Sequence, residues 1–115
     1  MTDDEKMELR RDNEWVLRDL GYLPDVPHLP RRVDFSLVFI DVIARAQAKP
    51  KVMNLGFGWD DKVGAVKAGT VEAIAYTMLS PVVLEITDCE IALVECLAPL
   101  DAFVDGWGFW GNTVH

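Results

Sequence analysis

The sequence predicts an α+β fold, a four-stranded sheet carrying two helices and preceded by a third helix. Three features carry this prediction. Residues 33–39, Val-Asp-Phe-Ser-Leu-Val-Phe, alternate apolar and polar side chains with the period of two that a strand with one buried face requires. Thr87-Asp88-Cys89-Glu90 has the form of a capping box, in which the threonine accepts from the amide three residues on and the glutamate reaches back, so a helix is expected to begin at Thr87. The last eleven residues, from Asp105, hold two of the four tryptophans and three glycines, and read as a short strand docked tightly by its aromatic side chains.

The elements follow in order. Residues 2–20 have carboxylates in the first turn, no glycine or proline, and Leu9, Val16, Leu17 and Leu20 at helical spacing, with Gly21 as the stop; Trp15 beside that stripe is expected in the core, with a docking anchor as the alternative. Pro24, Pro27 and Pro30 then deny residues 21–32 both helix and sheet, so residues 1–32 read as a helix and proline-spaced linker leading into a domain at 33–115. After the strand at 33–39, Val42, Ile43, Ala46, Met53 and Leu55 suggest a helix over residues 41–55, with a kink or break expected near Lys49 because Pro50 removes a ladder bond. Gly56 and Gly58 read as turn glycines, and residues 62–78 as two strands turning at Ala68-Gly69. From Thr87, Cys89, Leu93, Cys96, Leu97, Leu100 and Phe103 share one helical face. Asp88, Glu90, Glu95 and Asp101 take the other, with Ile91 and Val94 among them, and Pro99 is expected to bend this helix without ending it. The order helix, then β-α-β-β-α-β, is that of a ferredoxin-like sandwich with an extra N-terminal helix.

Composition bounds the function. A chain of 115 residues, half of them hydrophobic, can bury about two-thirds of its unfolded surface and needs no disulfide or metal to fold. The formal charge is -8, and all eleven lysines and arginines lie between positions 6 and 67, so residues 68–115 carry seven carboxylates and no basic side chain. Such a single-sign field repels nucleic acid and membrane surfaces and steers toward basic partners. The acidic start and the lack of a long apolar run predict a cytoplasmic protein without a membrane span. Cys89 and Cys96, about 10 Å apart along a helix, are expected as reduced core thiols.

Catalytic patterns are lacking. His28 in the linker and His115 belong to no HExxH or triad pattern, and Ser36 and Ser80 stand in no G-x-S-x-G. The two cysteines and two distant histidines lack the spacing of a zinc site, and no cofactor motif is present: Gly56-Phe57-Gly58 and Gly106-Trp107-Gly108 lack the third glycine or lysine of a phosphate loop. Arg10-Arg11 and Arg31-Arg32 are the only basic doublets, which argues against direct contact with nucleic acid. An acidic, non-catalytic, protein-binding domain is the expectation.

Met78-Leu79-Ser80, the helix through Ile91, Leu93 and Leu97, and Asp105-Gly106-Trp107-Gly108 resemble the end of the ribonuclease E inhibitor family, the regulator of ribonuclease activity B proteins, whose final helix runs into an Asp-Gly-Trp strand. Val33-Asp34-Phe35 and the helix after it are similar to the family's first β-α unit, and the N-terminal helix has a counterpart, so the resemblance spans residues 9–111. It implies a ferredoxin-like domain that binds ribonuclease E and lowers RNA turnover without catalysis of its own. Two other roles stay open: an immunity protein neutralising a toxin, and a small ferredoxin-like ligand binder or enzyme, which would need an apolar pocket with a convergent polar group. The partner-binding candidates are Asp88, Glu90, Ile91, Val94 and Glu95 on the outer face of the last helix, together with Trp110. Thr87, Asp105, Gly106 and Trp107 are the structural ones. If residues 107–110 form a strand, Trp107 and Phe109 share one face, with Trp107 expected in the core, and Trp110 points the other way.

Overall fold

A computed structural model describes residues 1–23, 28–61 and 69–110. Helix α1 (Asp3–Asp19) leads to strand β1 (Arg31–Phe39), helix α2 (Val42–Asn54), the short strand β2 (Gly58–Asp60), strand β3 (Val71–Leu79), helix α3 (Val83–Leu97), a 3₁₀ turn (Ala98–Leu100) and strand β4 (Phe103–Phe109). The strands form one sheet in the order β2-β3-β1-β4, and every neighbouring pair is antiparallel. The described residues thus form an α+β structure of three helices and a four-stranded antiparallel sheet.

Strand β1 is the centre of the core. Val33, Phe35, Leu37 and Phe39 are completely buried on the face turned to the helices, as the alternation requires, and they meet Ala73 and Ala75 of β3, Val52 of α2, and Ile86, Leu93 and Leu97 of α3. Burial of each large apolar side chain contributes about 1.5–3 kcal/mol.

The helices depart from the sequence reading in informative ways. Helix α1 opens with a true capping box: Thr2 Oγ1 accepts from the Glu5 amide at 3.2 Å, and Glu5 Oε1 accepts from the Thr2 amide at 3.1 Å. Hydrogen bonding to the carboxylate from the Thr2 amide, and then from the Thr2 side chain, holds the Glu5 carboxyl below its usual range. Of the four apolar positions expected to line α1, only Leu17 is fully buried, and Trp15, expected in the core, is 61% exposed with Arg18 over its ring. Of the kink or break expected near Lys49, the break does not occur: helix α2 runs on through Pro50. The proline is exposed, so the carbonyl it leaves unbonded can turn to water. Its buried face is Ala44, Ala48 and Val52, while Val42, Ile43, Met53 and Leu55 lie exposed. Small side chains at four-residue spacing let this helix approach the sheet closely, so the larger ones point away.

Helix α3 begins at Val83, four residues before the expected Thr87, because Pro81 biases Ser80 to extended backbone and closes β3. Its N-cap, Val82, offers no side-chain bond. The helix ends at Leu97, and Pro99 sits in the 3₁₀ turn that follows rather than merely bending it; Asp101 then turns the chain with φ 52°. Phe103, expected on the helical face, lies instead in β4 and is exposed. The first strand of the pair expected over 62–78, with Ala68, lies outside the described residues, as do Gly111 to His115. Within them β3 pairs with β2, in which Gly58 is a strand residue rather than a turn. A β-carbon at Gly58 would overlap the ring of Tyr76, its partner in the ladder.

Strand β4 carries the Asp-Gly-Trp sequence. Opposite β1, Trp107 pairs with Phe35 and Val104 with Leu37, so three steps on β4 answer two on β1. This bulge lets Val104 and Trp107, an odd number of residues apart, both face the helices. Gly106 takes it up with φ +127°, a conformation that side chains rarely adopt.

Candidate functional site

The polar residues of α3 that the sequence assigns to a cap and to an outer surface do something else. Thr87 and Glu90 lie one turn apart on the inner side of α3, and both are buried, Glu90 with 7% of its surface exposed. Across from them α1 presents Asn13, buried beside Leu17. The Asn13 amide nitrogen Nδ2 donates to Thr87 Oγ1 and to Glu90 Oε1, each at 3.0 Å, and its carbonyl Oδ1 accepts from Trp107 Nε1 at 2.8 Å. One side chain therefore ties α1, α3 and β4 together. Trp107, expected in the core, is half-buried at this junction, on the helix side of the sheet and edge-on to Phe109 at 5.6 Å.

Burial raises the Glu90 carboxyl above its usual range. The Asn13 hydrogen bond opposes that shift, and the negative charge of Asp12 adds to it. A group whose folded pKa lies above its unfolded value binds its proton more readily when folded, so its ionisation costs stability as the pH rises through the folded pKa. Glu90→Gln, which retains an acceptor for Asn13, is expected to raise the melting temperature near neutral pH by roughly a few degrees. The advantage over the wild type should close as the pH is lowered through the carboxyl range. Melts of both proteins between about pH 5 and pH 8 provide the check; a constant gap would mean that Glu90 does not titrate in this range.

The remaining partner-binding candidates are dispersed. Asp88 and Glu95 are exposed on α3, and Ile91 and Val94 are half-buried. Asp88 and Ile91 line a crevice of about 180 Å³ with Lys6, Met7 and Arg10 of α1, so basic side chains stand across from this part of the acidic helix. Glu90 is turned inward. Trp110 is 61% exposed on the opposite face of the sheet, its amide bonded to the Arg32 carbonyl at 3.0 Å. The candidates thus form no single patch.

A second crevice, about 210 Å³, opens between α1 and the start of α3 against Leu17, Tyr22, Pro81, Val83 and Leu84. It is almost wholly apolar, and Glu14 on its rim is engaged with Arg18 at 3.0 Å. Cys89 borders a third crevice with Phe57 and Thr77. Burial, and then the nearby charges of Asp88 and Glu85, push its thiol up, which suppresses the nucleophilic thiolate. Among the described residues no three His, Cys, Asp or Glu side chains are grouped to hold a metal ion, and no helix is long and apolar enough to cross a membrane. A scan against protein-family models and a search of curated proteins both find no match to this chain.

Sequence reasoning missed Asn13 and the pair Arg32 and Tyr76. Arg32 Cζ lies 3.9 Å from the Tyr76 ring centroid and 5.2 Å from that of Trp110, and Arg32 Nε donates to Asp34 Oδ1 at 2.8 Å. The alternation of β1 was the available signal, because it puts Arg32 and Asp34 on the face opposite the core.

Proposed function

We propose that this protein is a cytoplasmic, non-catalytic regulatory binding protein of the ribonuclease E inhibitor kind, a ferredoxin-like domain with an added N-terminal helix that modulates RNA degradation by protein–protein contact. The element order and the antiparallel order β2-β3-β1-β4 support the fold assignment, since two β-α-β units interleaved in one sheet generate both. The observation that carries the functional reading is the distribution of charge. Glu85, Asp88, Glu95, Asp101 and Asp105 are all exposed, and no basic side chain occurs after residue 67. An acidic surface of this kind accelerates encounter with a basic one and discriminates against nucleic acid. The buried polar groups, Asn13, Thr87 and Glu90, bond to one another or to Trp107 and act as structure.

The test is ribonuclease E cleavage of a model RNA with and without the protein. Cleavage is expected to slow, by a margin that shrinks as salt rises, because exposed charges more than about 8 Å apart are largely screened at physiological ionic strength. Unchanged cleavage together with no ribonuclease in a pull-down would remove this reading.

A further inference from the structure

The helices cover one face of the sheet, and the register sets what the other face displays. Arg32 and Asp34 come from β1, Glu72, Tyr76 and Met78 from β3, Asp60 from β2, and Phe103, Asp105 and Trp110 from the β4 side. Three large apolar side chains there are more than half exposed: Phe103 at 53%, Met78 at 62% and Trp110 at 61%. Met78 and Trp110 flank Arg32 at one end of this face, whereas Phe103 stands beside Val38 at the other, so the apolar contact is centred on Trp110 and Met78. Exposed aromatic and methionine side chains beside polar ones are typical of protein-binding surfaces.

The charge of this face names the partner's chemistry. It carries the four carboxylates Asp34, Asp60, Glu72 and Asp105, and Arg32 is its one cation among the described residues. Arg32 is already consumed: Asp34 pairs with it, and its guanidinium lies between Tyr76 and Trp110. Gly58, where any β-carbon would meet the Tyr76 ring, lets that ring lie flat at the edge of the platform. The arrangement is a worked example of what the face accepts, a planar, weakly hydrated guanidinium stacked on aromatic rings beside a carboxylate. We propose that the open face of the sheet binds a basic, arginine-bearing segment of a protein partner, which repeats on the exposed part of Trp110 and the acidic rim what Arg32 does within the chain. Phosphate-bearing ligands are disfavoured, because stacking platforms for single strands work within a positively charged groove and this face is negative. The inference rests on the reading that the protein acts by docking a basic partner, and it moves the contact from α3 to the sheet.

The test uses the full chain and a labelled peptide alternating arginine and serine, followed by fluorescence anisotropy. The wild type is expected to bind, less tightly as salt rises. Trp110→Ala should weaken binding about fivefold, and the double variant Asp60→Lys with Asp105→Lys about tenfold or more. The double variant Asp88→Lys with Glu95→Lys on α3 should change it less than about twofold. All these side chains are exposed, and unchanged melting temperatures will show that the variants fold. The proposal is overturned if the wild type does not bind the peptide, or if the α3 variant loses binding while the sheet variants keep it. Tighter binding of oligouridine than of the peptide, lost in Trp110→Ala, would overturn it in favour of a nucleic-acid platform. No ribonuclease enters this assay, so its failure leaves the cleavage experiment to decide the broader reading on its own.

Discussion

Replacement of Asn13 by alanine is expected to lower stability by about 3 kcal/mol, which corresponds to a fall in melting temperature on the order of 15 °C for a domain of this size. The loss has three sources, one for each bond: Thr87 Oγ1 and Glu90 Oε1 lose their donor and Trp107 Nε1 its acceptor. The largest part belongs to Glu90, whose carboxylate remains buried after losing the Asn13 amide donor. This assignment can be separated from simple loss of packing. In the Glu90→Gln background the same Asn13→Ala change should cost less, because a neutral amide left unpaired is cheaper than a charge. Thermal melts of the two single variants and the double variant measure the coupling; strict additivity would mean that Asn13 acts by filling space alone.

The second large effect separates the two tryptophans of the last strand. Trp107→Ala is expected to cost about 3 kcal/mol or more, since the ring packs against Phe109 and the core and its Nε1 holds Asn13. Trp110→Ala should stay within about 1 kcal/mol, because that ring is mostly exposed and its contact is with Arg32. Denaturant titrations of both variants give the comparison, and equal losses would show that the two faces of the sheet are not distinguished in this way.

What could be read from the sequence was decided by how local the governing interaction is. The strand at 33–39 was legible because one face is fully buried, so its alternation is strict, and the opposite orientations of Trp107 and Trp110 followed from the same period. The T-x-x-E of residues 87–90 was misread because a capping box and two inward polar groups one turn apart are the same four letters. What distinguishes them is Asn13, which lies 74 and 77 positions away in the chain. The same distance hid the burial of Glu90, which a helical wheel assigns to water. In α2 hydropathy pointed to the wrong face, since Ala44 and Ala48 make the close contact and are weakly hydrophobic, whereas Val42, Ile43 and Met53 are strongly so and exposed. Trp15 shows the converse limit: a large apolar side chain beside a stripe need not belong to it. The open sheet face was half legible, because the identities of Arg32, Asp34 and Tyr76 were plain but their adjacency depends on the pairing of β1 with β3.

The bulge at Asp105-Gly106 has a consequence outside the core it serves. Among the described residues strand β4 ends the sheet, and a terminal strand offers its outward N–H and C=O groups to any extended chain it meets, another copy of this protein included. An evenly spaced run of such groups over seven residues would be a template for fibrous growth. The extra residue breaks that spacing near the middle of β4, and Asp105 places a carboxylate beside the break. Two uninterrupted pieces remain, each too short to recruit a foreign strand firmly. The same step that brings Val104 and Trp107 to the helices therefore guards the protein against runaway self-association while its aromatic sheet face stays open.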